Sequence, residues 1–363
     1  MHTLSLGMLC VSLWVALGVD RAWGEPPLRW HPVVWMGQYL AWAGERIAPL
    51  AMDAMNAKQT VARADWPTWA KGVAAWSGGA LFVSSLAWGV QDALLSMTRS
   101  PHAPVAWAGH ALAAVCLGVL LKPMLAWRFL EQEVQAVEAA LQNSLEEGRD
   151  RLAWICSRDT ESLSETQVRE TAIESLAENL NDSVVAPLFW FVCLGLPGAV
   201  LYRFANTADA MWGYRGEREG RQWEWAGKWA AHLDDGLSWL PARLTAVALM
   251  LASRTTAWRG LRQQAGQTPS PNSGWPMAAM ALALHVRLGK PGVYVLHAQG
   301  QAADATHLNQ ACALSRRAVM GLATVWTGMA LGLTLGLATL EGWSVNGASV
   351  KWTPPSLNGS AHV

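Results

Sequence analysis

The sequence predicts an all-α, polytopic integral membrane protein with about four spanning helices, two partial or re-entrant segments and further helices in the cytoplasm. Three observations carry that expectation. Charged residues make up only 15% of the chain and hydrophobic ones 52%, against roughly 25% charged in ordinary soluble domains. The apolar residues are gathered into runs near the ~20 residues that a helix needs to cross hydrocarbon. Aromatic usage is lopsided, Trp 23 against Phe 5 and Tyr 4, and Trp23, Trp76, Trp107 and Trp239 stand at run ends, where interfacial belts form. Lys+Arg 27 balance Asp+Glu 27, so charge gives no reason to expect nucleic acid as a partner. Cys10, Cys116, Cys156, Cys193 and Cys312 lie far apart without metal-ligand spacing and read as small hydrophobic residues.

Residues 3 to 19 form a first apolar run that lacks a basic leader and a clear cleavage site, so a retained span is expected. The Gly- and Pro-rich stretch Asp20 to Gly37 reads as a structured loop. Within it His31, held extended before Pro32, is expected to be structural. Residues 38 to 66 read as an amphipathic helix and a polar linker. Apolar runs at about 72 to 95 and 105 to 121 form a hairpin of spans around a turn with Arg99 and Pro101. Leu130 to Leu145 carries Glu131, Glu133 and Glu138 among apolar residues at helical spacing. Ser162-x-x-Glu165 and Ser164-x-x-Gln167 both match a capping box, which starts the next helix there.

The segment from Asp182 to Tyr202 is apolar but contains Pro187, Gly195, Pro197 and Gly198, which suits a partial or re-entrant element. Leu237 to Ser253 is short for a span and holds Pro241 and Arg243, so it too reads as partial. Residues 270 to 277 form a turn that opens a small-residue helix over 278 to 288, and Met320 to Leu340 is the last span. Residues 1 to 340 form one membrane domain and 341 to 363 a polar tail. With four spans and two partial segments, every Lys and Arg except Arg99 and Lys351 falls on one side, the asymmetry of a cytoplasmic face. The expected location is the cell inner membrane, with membrane lipid around the spans and the polar motifs in the cytoplasm.

Those motifs form clusters: Arg158-Asp159; Glu174, Glu178, Asn179 and Asp182; Asn206 and Asp209; Asp234-Asp235 with Arg243; and Asn272. Glu174, Glu178 and Asp182 are four residues apart each time, so a continuous helix stacks them on one face. Three like charges there destabilise the helix unless solvent, a basic surface or a cation offsets them. Carboxylates and carboxamides are oxygen donors suited to Mg²⁺, which binds through a few carboxylates and phosphate oxygens. Arginines fit phosphate as a fork. A solvated face or an interhelical ion pair is the plain alternative for each cluster taken singly. Gly289-Lys290 runs into Pro291 without the upstream glycine of a P-loop, so any nucleotide site is built differently.

The same motifs, in order, resemble the CobD/CbiB family of cobalamin biosynthesis, the membrane-bound adenosylcobinamide-phosphate synthases. The matching residues are Asp20, Gly24-Glu25-Pro26, His31-Pro32-Val33, Gly37, Ser157-Arg158-Asp159-Thr160, Glu174 to Asn179, Asp182 and Ala186 to Phe189. They continue through Asn206-Thr207, Asp209, Met211, Gly213-Tyr214, Leu233 to Asp235, Trp239 to Leu244, and Ser270-Pro271-Asn272 with Gly274 and Pro276 to Ala279. Glu25, Ser183, His232 and Ser238 stand where the family pattern has Asp, Gly, Arg and Asn. The resemblance implies ATP- and Mg²⁺-dependent amide formation between a propionate of adenosylcobyric acid, a corrinoid, and aminopropanol or aminopropanol phosphate. A complex with other cobalamin-assembly membrane enzymes belongs to the same implication. Under it, Glu174, Glu178, Asp182 and Asp209 bind Mg²⁺ or act as base, and Arg158 and Arg243 contact phosphate. Asp234 and Asp235 complete the metal or amine site, with Asn179 and Asn272 beside them. A permease with intramembrane carboxylates and a non-catalytic sensor of the same fold are the rival readings.

Overall fold

The computed structural model describes residues 4–51, 65–98 and 103–347, with side chains in the last stretch from 106 to 334. Helix α1 (Leu6–Trp23) starts where Ser5 accepts the amide of Met8 and ends at Gly24, whose φ of 69° suits a residue without Cβ. α2 (Pro32–Ile47) begins earlier than expected, inside the supposed loop. The reason is local: His31 accepts the amide of Val33, and Pro32 sits at the first helical position, where its missing donor costs nothing. His31 is therefore a helix cap. The linker after it, and the turn with Arg99 and Pro101, lie outside the described residues.

The long helix α3 (Trp66–Ser96) and its neighbour α4 (Ala103–Leu121) form the expected hairpin. α1 lies against α4, and α3 against α9 (Leu196–Trp212). Small residues permit the second contact. A Cβ on Gly79 would stand 2.5 Å from Phe204 of α9 and from Tyr39 of α2, and one on Gly72 would stand 2.1 Å from the carbonyl oxygen of Ala226, outside α9. The amphipathic helix α5 (Trp127–Asn143) follows, then α6 (Leu145–Leu152) and α7 (Glu165–Leu180). Of the two candidate capping boxes, Ser164 with Gln167 forms, both arms present. Helix α7 is the buried axis of the molecule: it touches α5, α6 and strand β3 (Leu288–Lys290), and also α12 (Gly274–Leu284) and α13 (Ala305–Gly347). Ile173 and Leu176 are fully buried on it, each worth about 1.5–3 kcal/mol against exposure.

A π-helical turn, Asn181–Val185, joins α7 to the short α8 (Ala186–Leu194). Gly195, at φ 72°, then breaks the chain before α9, so the expected partial element is a nine-residue helix. The polar insert after it is a ribbon of β1 (Glu217–Arg218) and β2 (Arg221–Gln222). The other expected partial element is corrected. α10 (Lys228–Ser253) runs unbroken for 26 residues, long and apolar enough to cross a membrane. Pro241 cannot donate to the Leu237 carbonyl, but the Trp190 indole does so at 3.0 Å. The carbonyl is satisfied from another helix and α10 continues.

α11 (Trp258–Ala265) and α12 lead to the antiparallel pair β3 and β4 (Tyr294–Leu296). Helices Leu6–Trp23, Trp66–Ser96 and Lys228–Ser253, with the run Ala106–Asn143, are the four candidate spans among the described residues. The protein is thus an all-α polytopic membrane protein. The run Met320–Leu340 lies in α13, partly beyond the described side chains, and of the expected tail, residues after 347 lie outside the described residues.

Candidate functional site

Residues from three of the polar clusters of the sequence, those of Arg158, of Glu174 to Asp182 and of Asn206 with Asp209, line one cavity of about 760 Å³ at the side of α7. Its walls come from α5, residues 154–158, α7, the π-helical turn, α9, the loop at 268–273 and the β3–β4 hairpin. Arg158, Glu174, Glu178, Asn179, Asp182 and Asp209 all line it, as the sequence predicted. Glu174 and Glu178 are one turn apart on α7. The π-helical turn then re-aims the backbone, and Asp182 still reaches the same space.

The carboxylates are not equivalent. Glu174 is buried and accepts Arg158 Nη2 at 2.7 Å, while Arg158 Nη1 donates to Thr171 at 2.9 Å. Its other oxygen, Oε1, is buried with no hydrogen-bond partner. Burial outweighs the Arg158 charge and raises the Glu174 pKa. Glu178 keeps part of its surface open to the cavity, with protein on its other sides. Burial first, then the charges of Asp182 and Glu174, push its pKa to about 7. The half-buried Asp209 is raised to about 6, first by desolvation and then by the charges of Asp235 and Asp182. Asp182 accepts Asn181 Nδ2 at 2.7 Å, and Thr245 donates to Asn181 Oδ1 at 3.2 Å, tying the turn to α10. Asn179 turns its amide to the Ser175 carbonyl, 2.9 Å away.

Asp234, Asp235, Arg243 and Asn272 stand behind the cavity wall. Asn206, which lines it, donates to Asp234 at 3.4 Å. Asn272 donates to the Asp235 backbone carbonyl at 2.7 Å and accepts from Arg243 at 2.7 Å. Arg243 also donates to the Pro271 carbonyl at 3.1 Å. Its guanidinium lies 4.6 Å from the Trp239 ring and 4.8 Å from that of Trp275. These residues fix the 268–273 loop, whose Thr268, Ser270 and Ser273 face the cavity.

Sequence reasoning missed Arg203, Lys290 and Tyr294, all on the cavity wall. Arg203 donates to Ser183 Oγ at 3.1 Å and leaves Nε buried without a partner. A lone arginine at the end of an apolar run was the available signal. Lys290 is exposed at the end of β3; only the folded hairpin carries it to the cavity lining. The Asp20 to His31 motif is a clamp instead. Lys122 Nζ lies 2.9 Å from Glu25 and 3.4 Å from Asp20, and Asp20 accepts the Arg128 amide at 2.8 Å. That bond caps α5, whose own cap residue, Ala126, has no acceptor.

The cavity lining thus mixes acidic and basic groups: Arg158 pairs with Glu174, Arg203 donates to Ser183 next to Asp182, and Lys290 also lines it. Among the described residues, no three His, Cys, Asp or Glu converge closely enough to hold a metal ion by themselves. Mg²⁺ does not need such a cage, because it is commonly held by one or two carboxylates together with substrate phosphates. Asp182 and Asp209, both on the cavity wall, fit that mode.

A protein-family model described as CobD/Cbib protein matches residues 13–320. A probable cobalamin biosynthesis protein CobD of Methanothermobacter thermautotrophicus is 38% identical over 78% of this chain and 85% of its own length. The cobalamin biosynthesis protein CobD of Chromobacterium violaceum is 42% identical over 76% of this chain and 80% of its own. That of Stutzerimonas stutzeri is 40% identical over 92% of this chain and 98% of its own. No solved structure matches the chain.

Proposed function

The chain belongs to the CobD/Cbib family, and on that premise we propose that it acts in cobalamin biosynthesis as an amide-forming ligase. It joins a propionate of adenosylcobyric acid to 1-aminopropan-2-ol or its phosphate, driven by ATP with Mg²⁺, and gives adenosylcobinamide or its phosphate. The observation that carries the reading is the convergence of ionisable carboxylates and guanidinium groups on one cavity of about 760 Å³. That volume lies in the range of small-molecule sites.

Amide formation from a carboxylate needs three things: activation as an acyl phosphate, offset of phosphate charge, and removal of a proton from the attacking ammonium. Arg158, Arg203 and Lys290 face the cavity and would bind the phosphate oxygens. Glu178 carries the base role, because a carboxyl with a pKa of about 7 is ionised often enough to accept the proton and basic enough to hold it. Asp182 and Asp209 would hold Mg²⁺, which when bound offsets phosphate charge. Glu174 keeps Arg158 in place. Asp234 acts through Asn206, and Asp235 with Arg243 and Asn272 through the 268–273 loop, which would contact the amine substrate. The cell inner membrane, with these segments facing cytoplasmic ATP, belongs to the same proposal.

Incubation of the detergent-solubilised protein with adenosylcobyric acid, the amino alcohol or its phosphate, and Mg-ATP tests the reading. Amide product is expected from the wild type, with a loss of at least about a hundredfold in Glu178→Gln. Unchanged synthesis by Glu178→Gln would remove Glu178 from the base role, and absence of product from the wild type would overturn the ligase.

A further inference from the structure

The cavity, about 760 Å³, has the volume of a site for a drug-sized ligand, which here means the propionate arm with its phosphate and amine partners. The macrocycle would then lie against the rim. Two large aromatic side chains stand there without a protein partner to cover them: Trp154 is 76% exposed and Phe129 46% exposed, and both line the cavity. Lipid does not account for Trp154. It follows α6, which reads Leu-Glu-Glu-Gly-Arg-Asp-Arg-Leu and is far too polar for hydrocarbon.

The Trp154 ring is held, and the backbone that carries Phe129 is fixed. Arg151 lies 5.1 Å from the centroid of the Trp154 ring and is itself anchored by Glu133. The backbone beside it is fixed by the Ile155 amide, which donates to Leu152, and by the Ile155 carbonyl, which accepts from Ser175 Oγ. Phe129 stands in the first turn of α5, next to the Arg128 amide that Asp20 caps. Two exposed aromatic rings lining a charged cavity, one of them braced by Arg151, suit stacking against a flat, amide-fringed ring.

We propose that Trp154 and Phe129 form the surface on which the corrin macrocycle lies while its propionate arm enters the cavity. This rests on the ligase reading above and adds the place of the large substrate. The charged wall then serves the reacting arm and the aromatic rim serves recognition.

The test compares the full-length protein in detergent with Trp154→Ala, Phe129→Ala and Trp154→Phe. Binding of adenosylcobyric acid is followed by equilibrium dialysis, reading its visible absorbance, and steady-state constants are measured for all three substrates. Trp154→Ala is expected to raise the corrinoid Kd and KM about tenfold, with kcat at saturating corrinoid and the KM for Mg-ATP unchanged. Trp154→Phe should keep most of the affinity. Equal corrinoid affinity in wild type, Trp154→Ala and Phe129→Ala would overturn the platform while leaving the ligase standing. A wild type that binds no corrinoid would overturn both. Parallel losses in all three KM values and in kcat would show a merely structural role for Trp154 and also overturn it.

Discussion

Amide synthesis should fall on the acid side of neutrality because Glu178, and not the amine alone, must be ionised. The perturbation is pH. With the Glu178 pKa at about 7, the ionised fraction is roughly 90% at about pH 8 and roughly 10% at about pH 6, so kcat should drop about ninefold across that interval. Neighbouring charges set the direction in which the limb moves. Glu174 raises the Glu178 pKa and Lys290 lowers it. Glu174→Gln should therefore carry the limb toward acid, and Lys290→Met toward alkali. The assay is product formation by the solubilised protein at saturating substrates from about pH 5.5 to about pH 9, where the ATP-dependent step is not limited by substrate binding. Asp209, at about 6, supplies a second, lower step that Asp209→Asn removes. A limb at neutral pH that persists in the residual activity of Glu178→Gln, or that ignores both charge variants, would refute the assignment.

Three further outcomes follow from other contacts. Arg158→Ala strands the Glu174 carboxylate in a site only 2% exposed and should cost about 3–5 kcal/mol, part of which Arg158→Ala with Glu174→Gln recovers, as chemical unfolding in detergent would show. Trp190→Phe removes the donor to the Leu237 carbonyl and should cost about 1–3 kcal/mol. The same change in a Pro241→Ala background should cost much less, since alanine returns a backbone N–H. Stability contributed by protonated Asp209 is present below its ordinary pKa and lost as pH rises through about 6, and Mg²⁺ favours the ionised form. The rise in melting temperature on adding Mg²⁺ should hence be larger at about pH 8 than at about pH 5, and a pH-independent rise would exclude Asp209 as a ligand.

Composition, apolar runs and motif spacing determined a good deal unaided. The all-α membrane class, the α3–α4 hairpin, the Ser164 capping box and the four-residue spacing of Glu174, Glu178 and Asp182 all rest on periodicity or on local chemistry, which a chain displays without folding. The start of α2 was misjudged because Pro32 near glycines looks like a loop until His31 is seen to cap it. The continuity of α10 was hidden for a different reason. Its missing hydrogen bond is made by Trp190, 47 residues away, and no local pattern announces that. Tertiary structure alone decided that Arg243 and Asn272 brace a loop, that Lys290 and Arg203 face the carboxylates, and that Trp154 is left uncovered at the rim. Each of those facts depends on contacts between segments far apart in the chain, where burial and distance, not residue type, settle what a charge or a ring can do.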